Sequence, residues 1–390
     1  MSKSNEYKIP ILSFFSGGGF LDMGFEQAGF EIIWTNEFDK TFAQLHAAGI
    51  SSWRKSRGNS IKAEIFNTKS ITDITTDEIV TEAFPNGKSD FFGIIGGPPC
   101  QDFSMNGSMK GFNGDRGKLT IIFFDKILEL NPAFFVMENV TGLTKRKETK
   151  EYLQNLLKRV EKEYFIDHKK LNSLDYGVPQ FRERIFFVGI KKGCIDNEYV
   201  NRNILGNWFP FPVNRTYQDA ASKYKWGKSE KFGQKLARPK DLPIELCVES
   251  CLIKSSQTKS VPNADEFFNL YKSERELELI NEGETNRPSF KRLHRFKYSP
   301  TACYGNNEVH LHPYQHRRLS VREALRIQGV PDTYVLPSEI SLSKKFKMIG
   351  NGVPVPLARE VAIALKNFIG NMDINICKHS VMPVFDFIIT

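Results

Sequence analysis

The sequence predicts an α/β fold, a mostly parallel sheet with helices on both faces, joined to a second, smaller domain. Three observations predict it. First, Ile9–Phe15, Glu31–Phe38, Asp90–Ile95 and Pro132–Val140 are strand-length, largely apolar runs, as expected of parallel strands buried on both faces. Second, runs of this kind break into glycine or proline, and segments with apolar residues at helical spacing follow. Third, composition shifts after Lys192 towards interleaved basic and aromatic residues. With 390 residues the chain has room for one large domain and a smaller one.

The bulk composition narrows the functional class. Hydrophobic residues make up 40% and charged residues 25%, the balance of an ordinary globular protein. A formal net charge of +9 favours a polyanionic partner such as nucleic acid. The six cysteines form no paired framework, which fits a reduced, cytoplasmic setting. Cys247 and Cys251 have no second Cys/His pair to complete a zinc site, so no metal is expected. Met1 to Pro10 is too polar for a signal peptide, and no apolar run approaches the ~20 residues that span a membrane.

Taken in order, the first strand breaks into Ser16-Gly17-Gly18-Gly19, and Leu21, Phe25 and Ala28 then fall at helical spacing before Gly29. Strand, glycine turn and helix open a nucleotide-binding unit, because a glycine turn lets a ligand approach the backbone. Asp22 occupies the third position of the Gly-x-Gly-x-x-Gly pattern, and a nicotinamide site is an equal reading at this point. The second strand ends at Glu37-Phe38, where a carboxylate suits ribose hydroxyls or else lies solvated at the surface. Asp73 precedes Thr75-Thr76-Asp77-Glu78 and reads as a helix cap.

Asp90–Ile95 stops at Gly96-Gly97-Pro98-Pro99, which forces an irregular loop and presents Cys100 beyond the carboxyl end of a strand. A cysteine there is either a small buried hydrophobe or a nucleophile. Gly107 to Gly117 is polar and glycine-rich, a mobile loop over that pocket. The helix after Asp115-Arg116 carries Ile121, Phe124, Ile127 and Leu128 on one face. Pro132–Val140 ends in Glu138-Asn139, so a carboxyl group converges on the same sheet edge as the thiol. Tyr152–Lys162 reads as a helix. Arg182 and Arg184 then stand at alternate positions before the buried run Ile185–Ile190.

Between Ala221 and Lys240 stand seven Lys/Arg and one Glu, with Tyr224, Trp226 and Phe232 among them. Arg287 to Lys297 holds five Lys/Arg and no acid. Both stretches suit a DNA backbone surface or else are solvated basic loops. Asp265–Glu284 between them reads as a surface helix. Ser299–Asn307 is a candidate base-reading loop. Ser320 and Glu323 form a capping box before a helix that ends at Gly329-Val330-Pro331. Lys347–Pro354 and a helix over Val355–Ile369 follow, and Met372–Thr390 carries no motif.

With Pro99-Cys100, Glu138-Asn139-Val140 and the segments His316–Asp332 and Lys347–Pro354 in this order, nearly the whole chain resembles the DNA cytosine-5 methyltransferases, of the prokaryotic or phage restriction-modification type. The resemblance implies a Rossmann-like S-adenosylmethionine-dependent methyltransferase domain over residues 1–192, a target-recognition domain over 193–340, and a return segment, 341–390, completing the first. It implies that Phe15, Ser16, Gly17, Gly18, Gly19, Glu37, Phe38, Asp73, Ile74, Pro98, Asn351, Gly352 and Val353 line the S-adenosylmethionine site, with Glu37 on the ribose, Phe38 against the adenine and Asp73 accepting from its amino group. Family members often carry Gln where this chain has Met348.

By the same resemblance, Cys100 is the nucleophile and Glu138 acts at ring nitrogen 3 of cytosine. Asn139 fixes the loop, Arg182 bonds the target base and Arg184 steadies the pocket. Ser104, Arg116, Thr301, Tyr304 and Arg318 are the implied DNA contacts. The expected partner is double-stranded DNA, bound by a monomer, with a cognate restriction endonuclease acting separately and no membrane. Three other readings stay open at this stage: a transfer-RNA cytosine-5 methyltransferase, a nicotinamide-dependent oxidoreductase, and a catalytically silent DNA-binding relative.

Overall fold

The computed structural model describes residues 8–58, 65–99, 117–144, 147–195, 200, 208–270, 272–302, 304 and 308–370. Its centre is a seven-stranded sheet of order β3-β2-β1-β4-β5-β7-β6. The strands are β1 (Pro10–Phe14), β2 (Glu31–Asn36), β3 (Ile65–Asn67), β4 (Gly93–Gly96), β5 (Phe134–Val140), β6 (Tyr164–Asn172) and β7 (Glu183–Lys191). β1 to β5 pair in parallel, whereas β7 runs antiparallel to both β5 and β6. The mostly parallel sheet is thus present. β3 and β6 were not separately legible, because β3 is short and β6 carries His168, Lys169 and Lys170 within its run.

The helices are α1 (Phe20–Gln27), α2 (Lys40–Ser56), α3 (Thr76–Ala83), α4 (Gly117–Leu130), α5 (Lys147–Val160), α6 (Ala220–Lys223), α7 (Glu274–Glu278), α8 (Val321–Ile327), α9 (Leu342–Asn351) and α10 (Val355–Gly370). Period-2 alternation along the strands divides the core between two faces. Ile11, Ile95, Phe134 and Val136 meet Leu21 and Phe25 of α1 and Leu357 and Val361 of α10. Leu12, Ile94, Phe135 and Met137 meet α3, α4 and α5 through Ile79, Phe124 and Leu153. α1 and α10 approach closely because α1 has Gly24 at the crossing, where a Cβ would lie 2.5 Å from that of Ala358.

A third cluster joins Phe20, Met23, Phe42 and Leu45 of α1 and α2 to Val248, Leu293, Leu319, Leu325 and Phe346. Trp208, Phe209 and Phe211 belong to the first cluster. Residues placed by sequence in the smaller domain therefore share cores with the sheet and its helices. Their described backbone is mostly irregular, with isolated bridges such as Gln180–Ser299 and Arg292–Leu311.

The long surface helix expected over Asp265–Glu284 is confined to α7, started by the capping box of Ser273 and Glu276. Tertiary contacts draw the rest of that segment out. Phe268 stacks on Phe346 of α9 at 5.4 Å, and Glu266 pairs with the fully buried Lys345. The capping box of Ser320 and Glu323 opens α8 as expected. Cys247 and Cys251 are free, but Cys194 is disulfide-bonded, correcting the expectation of no pairing there. Sequence spacing alone does not encode connectivity. Among the described residues no helix is long and apolar enough to cross a membrane.

Candidate active site

Strand register assembles the site. Phe14 at the end of β1 pairs with Asn36 of β2 and with Gly96 of β4, and Gly96 pairs with Met137 of β5. The next residue on each strand is then Phe15, Glu37, Gly97 and Glu138, four neighbours along one carboxyl edge. Ligands of open α/β sheets bind at such an edge, where connections leave β1 and β4 in opposite directions.

The glycine turn lies at one end of this row. Gly17 (φ +54°) and Gly19 (φ +74°) adopt the left-handed backbone that glycine tolerates best. A Cβ on Gly17 would meet nothing within 4 Å, so its outer face is open. The inner face is filled: a Cβ on Gly18 would lie 2.1 Å from Met348 Sδ. Tyr334 donates its hydroxyl to the Gly18 carbonyl at 2.8 Å. Its ring packs on Gly49 of α2, where a Cβ would come within 2.0 Å of the ring. The return helix α9 and the segment after α8 thereby clamp the turn from behind. Sequence reading missed Tyr334, although a glycine inside a helical pattern signals such a close approach.

Glu37 extends the turn. Its Oε2 accepts from the Gly17 N–H at 3.0 Å and its Oε1 from the Asp39 N–H at 2.8 Å. Burial raises its pKa, while these two N–H donors pull the other way. The carboxylate is therefore held in a fixed orientation rather than solvated. Phe38 beside it is 69% exposed, an unusual position for a large apolar ring. Asp73 is exposed and is not the cap of α3. That role belongs to Thr75, which forms a capping box with Glu78. Ile74 beneath it is buried. Asp73 accepts the Thr72 hydroxyl at 2.8 Å through Oδ1. An open glycine face, an oriented carboxylate, an exposed aromatic ring and an exposed carboxylate fit a nucleoside-bearing cofactor. Gly352 and Val353 lie close behind, with a Cβ on Gly352 meeting Phe20 at 2.2 Å, while Asn351 is exposed.

The other end of the row holds Glu138, which is 7% exposed. Its Oε1 lies 2.9 Å from Nε of Arg184 on β7. A Cβ on Gly97 would sit 3.1 Å from its Oε2, so glycine leaves room for the carboxyl group. Burial raises the Glu138 pKa, and the Arg184 and Arg182 charges oppose but do not cancel the rise. Asn139 donates from Nδ2 to the Pro98 carbonyl at 3.2 Å, fastening β5 to the segment that leads into Cys100. Cys100, Ser104 and Arg116, and most of the expected Gly107–Gly117 loop, lie outside the described residues.

Arg182 is 1% exposed, and its terminal nitrogens donate to the carbonyls of Ala302 at 3.1 Å and Gly350 at 2.8 Å. It bolts the start of β7 to the segment near residue 302 and to α9. That segment runs beside residues 179–182: the Phe181 N–H donates to Ser299, and Thr301 donates its hydroxyl to the Phe181 carbonyl at 2.9 Å. Three expected surface residues are committed inward. Tyr304 is 4% exposed and packs on His310 and Phe346. Arg318 donates to the Val309 carbonyl and lies 4.9 Å over the Phe290 ring. Arg292, within the second basic run, is buried against the carbonyls of Leu277, Ile280 and His312. An arginine that satisfies buried carbonyls carries the same sequence signal as one awaiting phosphate.

Comparison with known proteins agrees with this architecture. Residues 9–367 match the family model for the C-5 cytosine-specific DNA methylases. The chain is 38% identical to the type II methyltransferase M.NmeDI of Neisseria meningitidis serogroup C, over 93% of this chain and 85% of that one. It is 33% identical to the type II methyltransferase M.FnuDI of Fusobacterium nucleatum, over 92% and 94%. A crystal structure of an E. coli prophage protein described as a DNA modification methyltransferase shares the fold, with a TM-score of 0.65 at 24% identity, covering 93% of this chain and all of that one. The chain belongs to the C-5 cytosine-specific DNA methylase family and is a DNA (cytosine-5-)-methyltransferase.

Proposed function

We propose that this enzyme methylates carbon-5 of one cytosine in a specific duplex sequence, through a covalent Cys100 adduct on a base swung out of the helix, with S-adenosylmethionine as donor. The observation that carries this reading is the junction at Glu138 and Asn139. One side chain is a buried carboxyl group biased towards its protonated form, and the next fastens the Pro98 segment that leads to the cysteine.

Cytosine carbon-5 is a weak nucleophile. The Cys100 thiolate adds to carbon-6, forming a sulfur–carbon bond, while Glu138 donates a proton to ring nitrogen 3. The electron pair released to carbon-5 is what attacks. S-adenosylmethionine, when bound, supplies an electrophilic methyl group on a sulfonium. Water takes the carbon-5 proton, the sulfur–carbon bond breaks to return Cys100 as thiolate, the ring double bond re-forms, and nitrogen 3 returns its proton to Glu138. Arg184 holds the Glu138 carboxyl group in place, and Arg182 keeps β7 in register with the recognition segment. Glu37, Phe38 and Asp73 orient the donor's ribose and adenine, and Ser16 to Gly19 leave its approach open. The target atoms lie inside the duplex, so the base must leave the stack.

Residues 193–340 form the recognition domain in this reading, and 341–390 return to complete the catalytic one. The relatives are named type II methyltransferases. In this reading the enzyme marks the site of a separate restriction endonuclease and works as a monomer. Cytosine-methylation sequencing of DNA from a methylation-free host expressing the chain tests the whole reading, with Cys100→Ala as control. Methylcytosine at one recurrent sequence, absent from the control, supports it. Methylation without a common sequence removes site specificity, and none from folded protein removes DNA as substrate.

A further inference from the structure

A pocket of about 190 Å³ lies in the second basic run, lined by Gly283, Thr285, His294, Lys297, Tyr298 and Pro300. His294 is its most buried wall, at 3% exposure. The Phe296 N–H donates to His294 Nδ1 at 2.9 Å, which places the proton of the neutral ring on Nε2. Burial lowers the His294 pKa; Glu282 and Glu230 raise it and Arg295 and Lys297 lower it further, leaving the ring neutral. Its Nε2 is buried and has no hydrogen-bond partner among the described residues. A buried donor of this kind is answered by a water or by a ligand oxygen.

The slot for this ring is built by two glycines. A Cβ on Gly227 would lie 2.1 Å from His294 Cε1, and one on Gly283 would lie 3.2 Å from Cδ2. Lys297 Nζ rests 5.7 Å from the Tyr298 ring centroid and pairs with no carboxylate among the described residues. Glu282, the acid that acts most strongly on His294, is fully buried and held by Arg295 through both oxygens, at 2.8 Å and 2.6 Å, and Glu284 pairs with Arg287, so both charges are answered.

We propose that this pocket seats one phosphodiester of the DNA backbone, with His294 Nε2–H and Lys297 Nζ as donors and the Thr285 and Tyr298 hydroxyls in its wall. This rests on the DNA reading above. The side chains supply a cation, a neutral N–H donor and hydroxyls, with no carboxylate or amide of the kind that discriminates base edges. Position supports it as well. Tyr298 leads directly into Ser299, whose carbonyl accepts from Phe181, next to the arginine that reaches Ala302 and Gly350. A phosphate gripped there sets the duplex in register with the Glu138–Arg184 edge.

The test uses the full chain, a duplex carrying the sequence that the wild type methylates, and a scrambled duplex. Lys297→Met and His294→Phe are each expected to weaken binding to both duplexes by the same factor, with unchanged thermal melting for Lys297→Met. Lys297→Met lowers the slope of log affinity against log salt by about 0.9, the value for one phosphate contact, whereas the neutral His294 leaves it unaltered. Single methylphosphonates scanned along the duplex should reveal one position that weakens the wild type and not Lys297→Met. If every position affects both proteins alike, the proposal is overturned. It is equally overturned if the variants lose only the cognate duplex, which would make the pocket a base reader. A wild type that methylates no DNA overturns the functional reading itself, and this proposal with it.

Discussion

Glu138 and Arg184 face each other where β5 meets the antiparallel β7, with Oε1 of the acid 2.9 Å from Nε of the arginine. Two effects of opposite sign meet there. Burial disfavours the carboxylate, and the guanidinium favours it. Burial dominates, so the carboxyl group keeps its proton to a higher pH than an exposed glutamate, and the arginine limits how far.

We expect Glu138→Gln to leave a folded protein whose turnover falls by about 10²–10⁴, the usual contribution of a positioned acid. The pH profile carries the sharper information. Wild-type activity should decline on the alkaline side as pH passes the raised Glu138 value. Arg184→Met removes a lowering influence and should move that limb to higher pH. A limb that stays put would show that another group sets it. Stability follows the same sign: the Glu138 contribution is complete below its ordinary value and is lost as pH rises through the raised one. Glu138→Gln should abolish that dependence in melts across the range.

Asn139→Ala removes the buried bond to the Pro98 carbonyl. The expected cost is about 1–3 kcal/mol, because a buried carbonyl is left unpaired. Chemical denaturation measures that loss. Single-turnover kinetics should show a slower adduct step at saturating DNA. Unaltered single-turnover rates with lowered stability would confine Asn139 to the fold.

Much of this was legible in the sequence, for identifiable reasons. β1, β4 and β5 are buried on both faces, so their runs are nearly free of polar interruption, and glycine and proline mark where each stops. Glu138 and Asn139 could be placed at a strand's carboxyl end without knowing the neighbours. Tyr334 could not, because its contact with Gly18 joins residues remote in sequence through one hydroxyl. Arg182 and Arg318 were legible as charges but not as braces, since only the fold shows which carbonyls lie within reach. Asp73 was weighed as a cap, and Thr75, two residues on, took that role.

Glu37→Ala should weaken binding of the methyl donor about 10–100-fold, in line with 1.5–3 kcal/mol for hydrogen bonds to a charged group. Titration calorimetry with S-adenosylhomocysteine measures it directly. Burial raises the Glu37 pKa, so wild-type affinity should also fall on acidification, as protonation removes the negative charge and weakens the bonds from Gly17 and Asp39. The Ala variant should bind with a flat pH dependence in that range. If it binds as tightly as wild type, the carboxylate orients only its own backbone.

Gly18→Ala tests the clamp behind the turn. The added methyl would lie 2.1 Å from Met348 Sδ, within a site where Met348 is 1% exposed. Either the thioether shifts or the turn does. Overpacking of this kind costs about 1–3 kcal/mol, and a displaced turn would also weaken donor binding. Met348→Ala alone should destabilise by about 2–5 kcal/mol through the cavity it leaves. Because one substitution adds volume where the other removes it, the double variant should be more stable than the sum of the single effects predicts. Denaturant melts of the four proteins close that cycle, and donor affinity measured on the same set shows whether the turn moved. Additive stabilities would mean that Met348 swings clear of Gly18, leaving Tyr334 to clamp the turn from behind.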